Sequence, residues 1–166
     1  MDKINLFSKN ECNEIINISE SLNAWGYKKS NNYSFSRCFF SLPFNLENKL
    51  INYCTNSLNL SLKEKKLSFA VLKYQSNDFF GRHMDRYDTT DFNRDFIYNI
   101  NIKLNDEYTG GEFFYLDKKF NSNVGDIYHY NSTHYHEVKN IKTGIRYTGL
   151  CYIRERDLLN YNKNLI

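Results

Sequence analysis

Phe96-Ile97-Tyr98-Asn99-Ile100-Asn101-Ile102-Lys103-Leu104 alternates with a period of two, setting Phe96, Tyr98, Ile100, Ile102 and Leu104 against Ile97, Asn99, Asn101 and Lys103. Successive side chains of a β-strand point to opposite faces, so this segment is a strand with one apolar face and one largely polar face. A half-polar inner face suits a barrel that holds a ligand. Around it lie further short β-rich runs separated by Asn, Asp and Gly: Leu67 to Tyr74, Phe79 to Tyr87, Glu112 to Leu116, Gly125 to Tyr130 and Gly144 to Ile153.

The text upstream is different. Ser8-Lys9-Asn10-Glu11 has the form of a capping box, with Phe7 and Cys12 placed as a hydrophobic staple, so a helix is expected from about Lys9 to about Leu22. After Pro43, the residues Leu46, Leu50, Ile51, Cys54 and Leu58 recur at helical spacing, which predicts a second helix from Leu46 to Leu58. Helices first and strands afterwards describe an α+β fold. With 166 residues, no internal repeat and no linker-like segment, one domain is expected, helical over about 1–65 and strand-rich over about 66–155.

Composition bounds the function loosely. The net charge of +3 is small and spread along the chain, so it argues for no nucleic-acid or membrane partner. No stretch approaches the roughly 20 apolar residues of a membrane span, and no secretory signal opens the chain, so a soluble, cytoplasmic protein is expected. Cys12, Cys38, Cys54 and Cys151 are far apart with no C-x-x-C pair, which fits a reducing compartment. The excess of Asn, Lys, Ile and Tyr over Ala and Pro is what AT-rich coding produces, and points to a phage, large-virus or protist source. Phe39-Phe40, Phe79-Phe80 and Phe113-Phe114-Tyr115 read as core or barrel-wall packing.

Chemistry concentrates in a few positions. In a strand, His83 and Asp85 share a side and present an imidazole and a carboxylate together. Two histidines and one carboxylate on one face of Fe(II) leave the opposite positions open, as oxygen chemistry at non-haem iron requires. Of His129, His134 and His136, only His136 is followed ten residues later by an arginine, Arg146, and it is taken as the third ligand. His129 and His134 read as ordinary strand or loop residues, with a supporting place beside the metal open to His134. Arg146 and Thr148 share a face of the last strand, and an inward guanidinium calls for an anionic co-substrate carboxylate.

These residues resemble the 2-oxoglutarate/Fe(II)-dependent dioxygenases, and within them the prolyl 4-hydroxylase-like branch. The resemblance runs from about Leu67 to Ile153. His83, Asp85 and His136 match the iron ligands of that branch, while Arg146, Tyr74 and Thr148 match residues that hold 2-oxoglutarate. Gly110-Gly111-Glu112 and Gly125-Asp126 match its G-G-E and G-D turns. Three positions depart: Asn77 stands where glycine is usual, Asn99 where a small hydroxyl residue contacts 2-oxoglutarate, and Arg146 where animal prolyl hydroxylases use lysine.

The resemblance implies a double-stranded β-helix, a cupin-like jelly roll with helices packed on one outer face. It implies Fe(II) as cofactor, 2-oxoglutarate and O2 as co-substrates, and ascorbate as a family expectation. The reaction would be hydroxylation of a protein or peptide side chain, or of a free amino acid, with 2-oxoglutarate decarboxylated to succinate; relatives that halogenate lack the carboxylate supplied here by Asp85. The segment Arg86 to Arg94 is the expected substrate-covering loop. Two other classes compete. One is an oxidase of nucleic-acid bases, disfavoured because Arg154 does not stand at the spacing of those relatives' second arginine. The other is a non-enzymatic module that binds iron and 2-oxoglutarate. Substrate and oligomeric state stay open at this level.

Overall fold

The computed structural model describes residues 2–64, 67–86 and 95–159. In chain order the elements are β1 (Lys3–Asn5), α1 (Lys9–Leu22), β2 (Gly26–Lys29), β3 (Tyr33–Phe39), α2 (Phe44–Asn56), β4 (Ser68–Tyr74), β5 (Phe79–His83), β6 (Phe96–Lys103), β7 (Tyr108–Gly110), β8 (Phe113–Tyr115), β9 (Lys118–Phe120), β10 (Asp126–Asn131), β11 (His136–Val138), β12 (Ile141–Gly144) and β13 (Arg146–Arg154).

α1 begins where its cap predicts. The Ser8 side chain accepts from the Glu11 N–H, and the Glu11 carboxylate accepts from the Ser8 N–H at 2.8 Å. α2 starts two residues before the expected point, because the Pro43 carbonyl already accepts from the N–H groups of Leu46 and Glu47.

Among the described residues, eleven strands form one antiparallel sheet in the order β1-β10-β6-β13-β4-β3-β5-β11-β8-β9, with β2 beside β3; β7 and β12 form a separate pair. The long sheet curls over on itself. Ring contacts join its far ends: Phe113 of β8 lies 5.2 Å from Tyr128 of β10, and His136 of β11 lies 4.5 Å from Tyr130. Two leaves therefore face each other across an interior, as in a double-stranded β-helix.

The helices cover one outer face. Cys12 and Ile15 of α1 and Leu46, Leu50 and Cys54 of α2 are fully buried against Val71, Ile100, Ile102, Ile127, Cys151 and Ile153 of the larger leaf. At about 25 cal/mol per Å2 of apolar area removed from water, this dry layer is the main source of stability. All four cysteines are buried and unbridged. No helix among the described residues is long and apolar enough to cross a membrane.

Three expectations change, and one lies mostly outside the described residues. Strands β1, β2 and β3 occur in the stretch read as helical; β3 joins the two leaves by pairing with both β4 and β5. β5 stops at His83, and the N–H groups of Asp85 and Arg86 turn to the Ser132 carbonyl, so Asp85 is aimed by that tether and not by strand alternation. In β6 the alternation holds from Tyr98 onward but slips at Ile97, where a register shift pairs Arg154 with Phe96; Ile97 joins the helix-side core and Phe96 the interior. Of the segment Arg86 to Arg94, residues 87–94 lie outside the described residues.

Candidate functional site

His83 ends β5 and His136 begins β11, and the two are direct partners in the antiparallel register. Neighbouring strands bring such Cα atoms to about 5 Å, so the imidazoles are side by side. Phe80 stacks flat on His83, ring centroids 3.6 Å apart and planes within 9°, which fixes the ring plane.

Nδ1 of His83 donates to the Gly81 carbonyl at 2.8 Å and Nδ1 of His136 to the His134 carbonyl at 3.0 Å. A carbonyl can only accept, so in both neutral rings the proton sits on Nδ1 and the lone pair on Nε2. Both Nε2 atoms converge on the Asp85 carboxylate, at 3.5 Å from His83 and 3.3 Å from His136. Burial alone would raise the Asp85 pKa; where the two Nε2 atoms also carry protons and donate to it, they outweigh burial and hold the carboxyl well below the usual range. Asn99 donates to Oδ2, the carboxylate oxygen that also faces His136.

One ligand atom from each of His83, Asp85 and His136 lies within 4.8 Å of the others. Two nitrogens and one carboxylate without thiolate, their lone pairs aligned by outer hydrogen bonds, are a donor set for Fe(II) with open positions.

The cluster opens into a cavity of about 730 Å3 between the two leaves, within the range of small-molecule sites. The structure brings Tyr74, Arg146 and Thr148 to the same cavity. Arg146 and Tyr74 are register partners on β13 and β4, and the guanidinium lies 5.2 Å from the Tyr74 ring centroid. Arg146 is 4 % exposed, among the described residues it makes no ion pair, and its Nη1 has no hydrogen-bond partner. Burial opposes its charge, yet the hydroxyls of Tyr108, Tyr128 and Tyr74 keep the guanidinium protonated. A buried cation with an idle donor is costly unless an anion completes it. Burial also raises the pKa of Tyr74, so it presents a neutral phenol. Thr148 donates its hydroxyl proton to the Ile102 carbonyl at 3.0 Å, so it turns lone pairs and not a proton toward the cavity.

Several residues that support the site were not legible in the sequence. Asn99 orients Asp85. Asn101 lines the cavity with a buried Nδ2 that has no partner, a free donor between the metal cluster and Arg146. Both were visible as the polar half of β6, Asn101 without a role and Asn99 only as standing where a hydroxyl residue contacts 2-oxoglutarate in the resembling branch. Gly111, at φ +65°, lies where a Cβ would come 2.3 Å from Ile141 Cδ1 and 3.2 Å from Arg146 Cδ, so the G-G turn gives Arg146 its space. Asn77 takes φ +72°, the left-handed region that glycine occupies freely and asparagine tolerates, which absorbs the departure at that position. His134 serves through its carbonyl, while its Nδ1 hydrogen-bonds the Tyr115 hydroxyl. His129 points to the helix side, 2.8 Å from the Tyr53 hydroxyl, and takes no part in the site. Phe80 and Phe113 are wall residues as expected, whereas Phe39 is 51 % exposed and lines the cavity.

No protein-family model matches the chain. A PKHD-type hydroxylase of Prochlorococcus marinus is 32% identical over 114 residues, covering 65% of this chain and 50% of that protein. The chain thus spans about half the length of this relative. Among solved structures, a viral collagen prolyl hydroxylase of Paramecium bursaria Chlorella virus-1, in complex with 2OG, superposes with a TM-score of 0.72 at 17% identity, over 92% of this chain and 94% of that one. A Pseudomonas putida prolyl-4-hydroxylase gives 0.73 at 12% identity, over 92% and 91%. A Trichoplax adhaerens prolyl hydroxylase, bound to a hypoxia inducible factor peptide fragment, gives 0.72 at 18% identity, over 94% and 84%. In fold the chain is a double-stranded β-helix like these solved structures, and over 114 residues its sequence is similar to that of a PKHD-type hydroxylase.

Proposed function

We propose that the protein is an Fe(II)- and 2-oxoglutarate-dependent oxygenase that hydroxylates a peptide side chain. The observation that carries this reading is the pairing, in one cavity, of the His83, Asp85 and His136 cluster with the buried guanidinium of Arg146, whose Nη1 has no partner. His83, Asp85 and His136 would hold Fe(II); Arg146, with Tyr74 and Asn101, would hold 2-oxoglutarate, and Thr148 would brace that end of the cavity. When bound, these groups supply oxidative decarboxylation of 2-oxoglutarate to succinate and carbon dioxide, with O2 as the second co-substrate and one of its oxygen atoms delivered to a C–H bond.

The chain's own contribution is placement. The Nδ1 hydrogen bonds keep both Nε2 lone pairs presented, and Asn99 keeps Asp85 from turning away. Neutral Tyr74 and cationic Arg146 offer hydrogen-bond donors to a carboxylate, the guanidinium in a fork that matches it. Phe35, Phe80, Phe113 and Leu150 line the cavity with apolar surface and limit water near the reacting atoms. The likeness to a PKHD-type hydroxylase and to a prolyl hydroxylase bound to a peptide fragment supports peptide hydroxylation, with ascorbate as the auxiliary reductant that the sequence resemblance implies; the four unbridged cysteines fit a reducing compartment.

Anaerobic titration of Fe(II)-loaded protein with 2-oxoglutarate tests the reading. A visible charge-transfer band in the wild type that His136→Ala removes supports it. A folded, iron-loaded wild type without the band would leave a likeness of fold alone.

A further inference from the structure

The inner face of β13 carries a second cation at its other end. Arg146, Thr148, Leu150, Tyr152 and Arg154 all line the cavity. The register pairs Tyr152 with Asn99, the residue that holds Asp85, so the metal cluster is level with Tyr152 and Arg154 lies beyond it, away from Arg146. Eight residue steps of about 3.3 Å put the two arginine Cα atoms roughly 26 Å apart, too far for both to grip one small dicarboxylate.

Arg154 is not alone there. Arg37 of β3 and Lys28 of β2 line the same cavity, and Arg37 stands close enough to Tyr152 to pull down a phenol that burial pushes up to about 12. Elsewhere cations are answered by acids, as in Lys49 with Glu11, Lys73 with Glu20, Arg82 with Asp117 and Arg156 with Asp95. Among the described residues Lys28, Arg37 and Arg154 form no ion pair, and Arg154 Nε is buried without a hydrogen-bond partner. Among the described residues Asp85 is the one acid lining the cavity, and it is engaged by the two histidines.

Both guanidiniums are held over rings, Arg37 4.6 Å from the Phe39 centroid and Arg154 5.2 Å from that of Phe96. Such packing limits the arms' rotation and turns their donor edges to a ligand. It also covers ring faces that would otherwise stack on a nucleobase, and Phe35 is already packed among Tyr33, Tyr74 and Phe80. A carboxylate on a peptide suits this arrangement better than a single-stranded nucleic acid.

We propose that the substrate is an acidic peptide, in which an Asp or Glu close to the hydroxylated residue is bound by Arg154 and Arg37 on the far side of the metal cluster from Arg146. This rests on the hydroxylase reading above and adds the charge of the substrate to it.

The test uses short labelled peptides with one central proline, flanked by Asp and Glu, by Asn and Gln, or by Lys, and a single-stranded oligonucleotide. Binding to the Fe(II)- and 2-oxoglutarate-loaded protein is read by anaerobic fluorescence anisotropy, and hydroxylation in air by mass spectrometry. The acidic peptide should bind at least about tenfold more tightly than the neutral one, as expected of charge-assisted hydrogen bonds. Arg154→Gln and Arg37→Gln should each erase most of that preference, and Arg154→Glu should move it to the lysine peptide, a gain that a misfolded variant cannot produce. Equal binding of acidic and neutral peptides, or tighter binding of the oligonucleotide, would overturn the proposal. Acid-selective binding with no hydroxylated product would uphold it and sink the hydroxylase reading; equal binding and hydroxylation of acidic and neutral peptides would do the reverse.

Discussion

The two faces of the larger leaf are built from the same strands and have opposite characters. On the helix side Ile100, Ile102, Ile127, Cys151 and Ile153 are completely buried in an apolar layer with α1 and α2. On the cavity side the alternate positions of those strands hold Asn99, Asn101, Arg146 and Thr148, nearly as buried yet polar, with Asn99 Oδ1, Asn101 Nδ2 and Arg146 Nη1 left without partners. A sheet with both faces dry would be more stable. Tolerating unsatisfied polar atoms on one face is what a ligand site requires, so stability and function are separated across the thickness of a single sheet.

That separation can be broken by mutation. The largest effect is expected at the metal cluster: His83→Ala or His136→Ala should abolish Fe(II) binding and turnover while leaving the unfolding midpoint of the iron-free protein nearly unchanged, read by calorimetric iron titration and denaturant melts. Retained iron affinity in both variants would refute the ligand assignment. On the opposite face, Ile100→Ala or Leu46→Ala should cost about 2–5 kcal/mol in urea unfolding, the range for truncating a fully buried aliphatic side chain, yet leave the 2-oxoglutarate requirement of the folded fraction as it was.

Arg146→Ala sharpens the contrast. It should raise the 2-oxoglutarate concentration needed for half-saturation by about tenfold or more, since a charged hydrogen-bonding group is worth roughly 1.5–3 kcal/mol. The ligand-free protein should be no less stable, or slightly more so, because an uncompensated buried charge has gone. A clear loss of stability would mean that Arg146 has a protein partner. Gly111→Ala should give a smaller version of the same loss, with its added Cβ directed at Ile141 and the stem of Arg146.

The smallest expected effect concerns His129, on the helix side. Burial lowers its pKa from the ordinary 6.5. The unfolded chain then binds the proton more readily than the folded one, so stability is full at neutral pH and declines as pH falls through 6.5 and below. His129→Gln should flatten that part of the pH–stability curve without moving the iron affinity.

How much was legible follows the same division. The capping box located α1 to the residue because its hydrogen bonds are local. His83, Asp85, His136, Tyr74 and Arg146 were readable because their spacing along the chain repeats that of a known branch, and the structure gathers them into one cavity. The reason given for Asp85 was incomplete, since its aim depends on Ser132, forty-seven residues away in the chain. Strands β1 and β3 escaped notice because they pair with distant segments, β1 with β10 and β3 with β4 and β5, while β2 rests on β3 alone.

Sequence alone determined the local and the repeated: helix caps, the period of two in β6, and an order of residue types that resembles an iron-ligand set followed by a carboxylate anchor. Tertiary structure decided what depends on contacts between remote segments. The bulge at Ile97 chose which side of the sheet Phe96 faces, Asn99 was turned to Asp85, Gly111 was pressed against Arg146, and Arg37 and Arg154 from two different strands were brought to one cavity. Periodicity tells which residues share a face, but not what that face will meet, because the neighbour across the interior is set by the curl of the whole sheet.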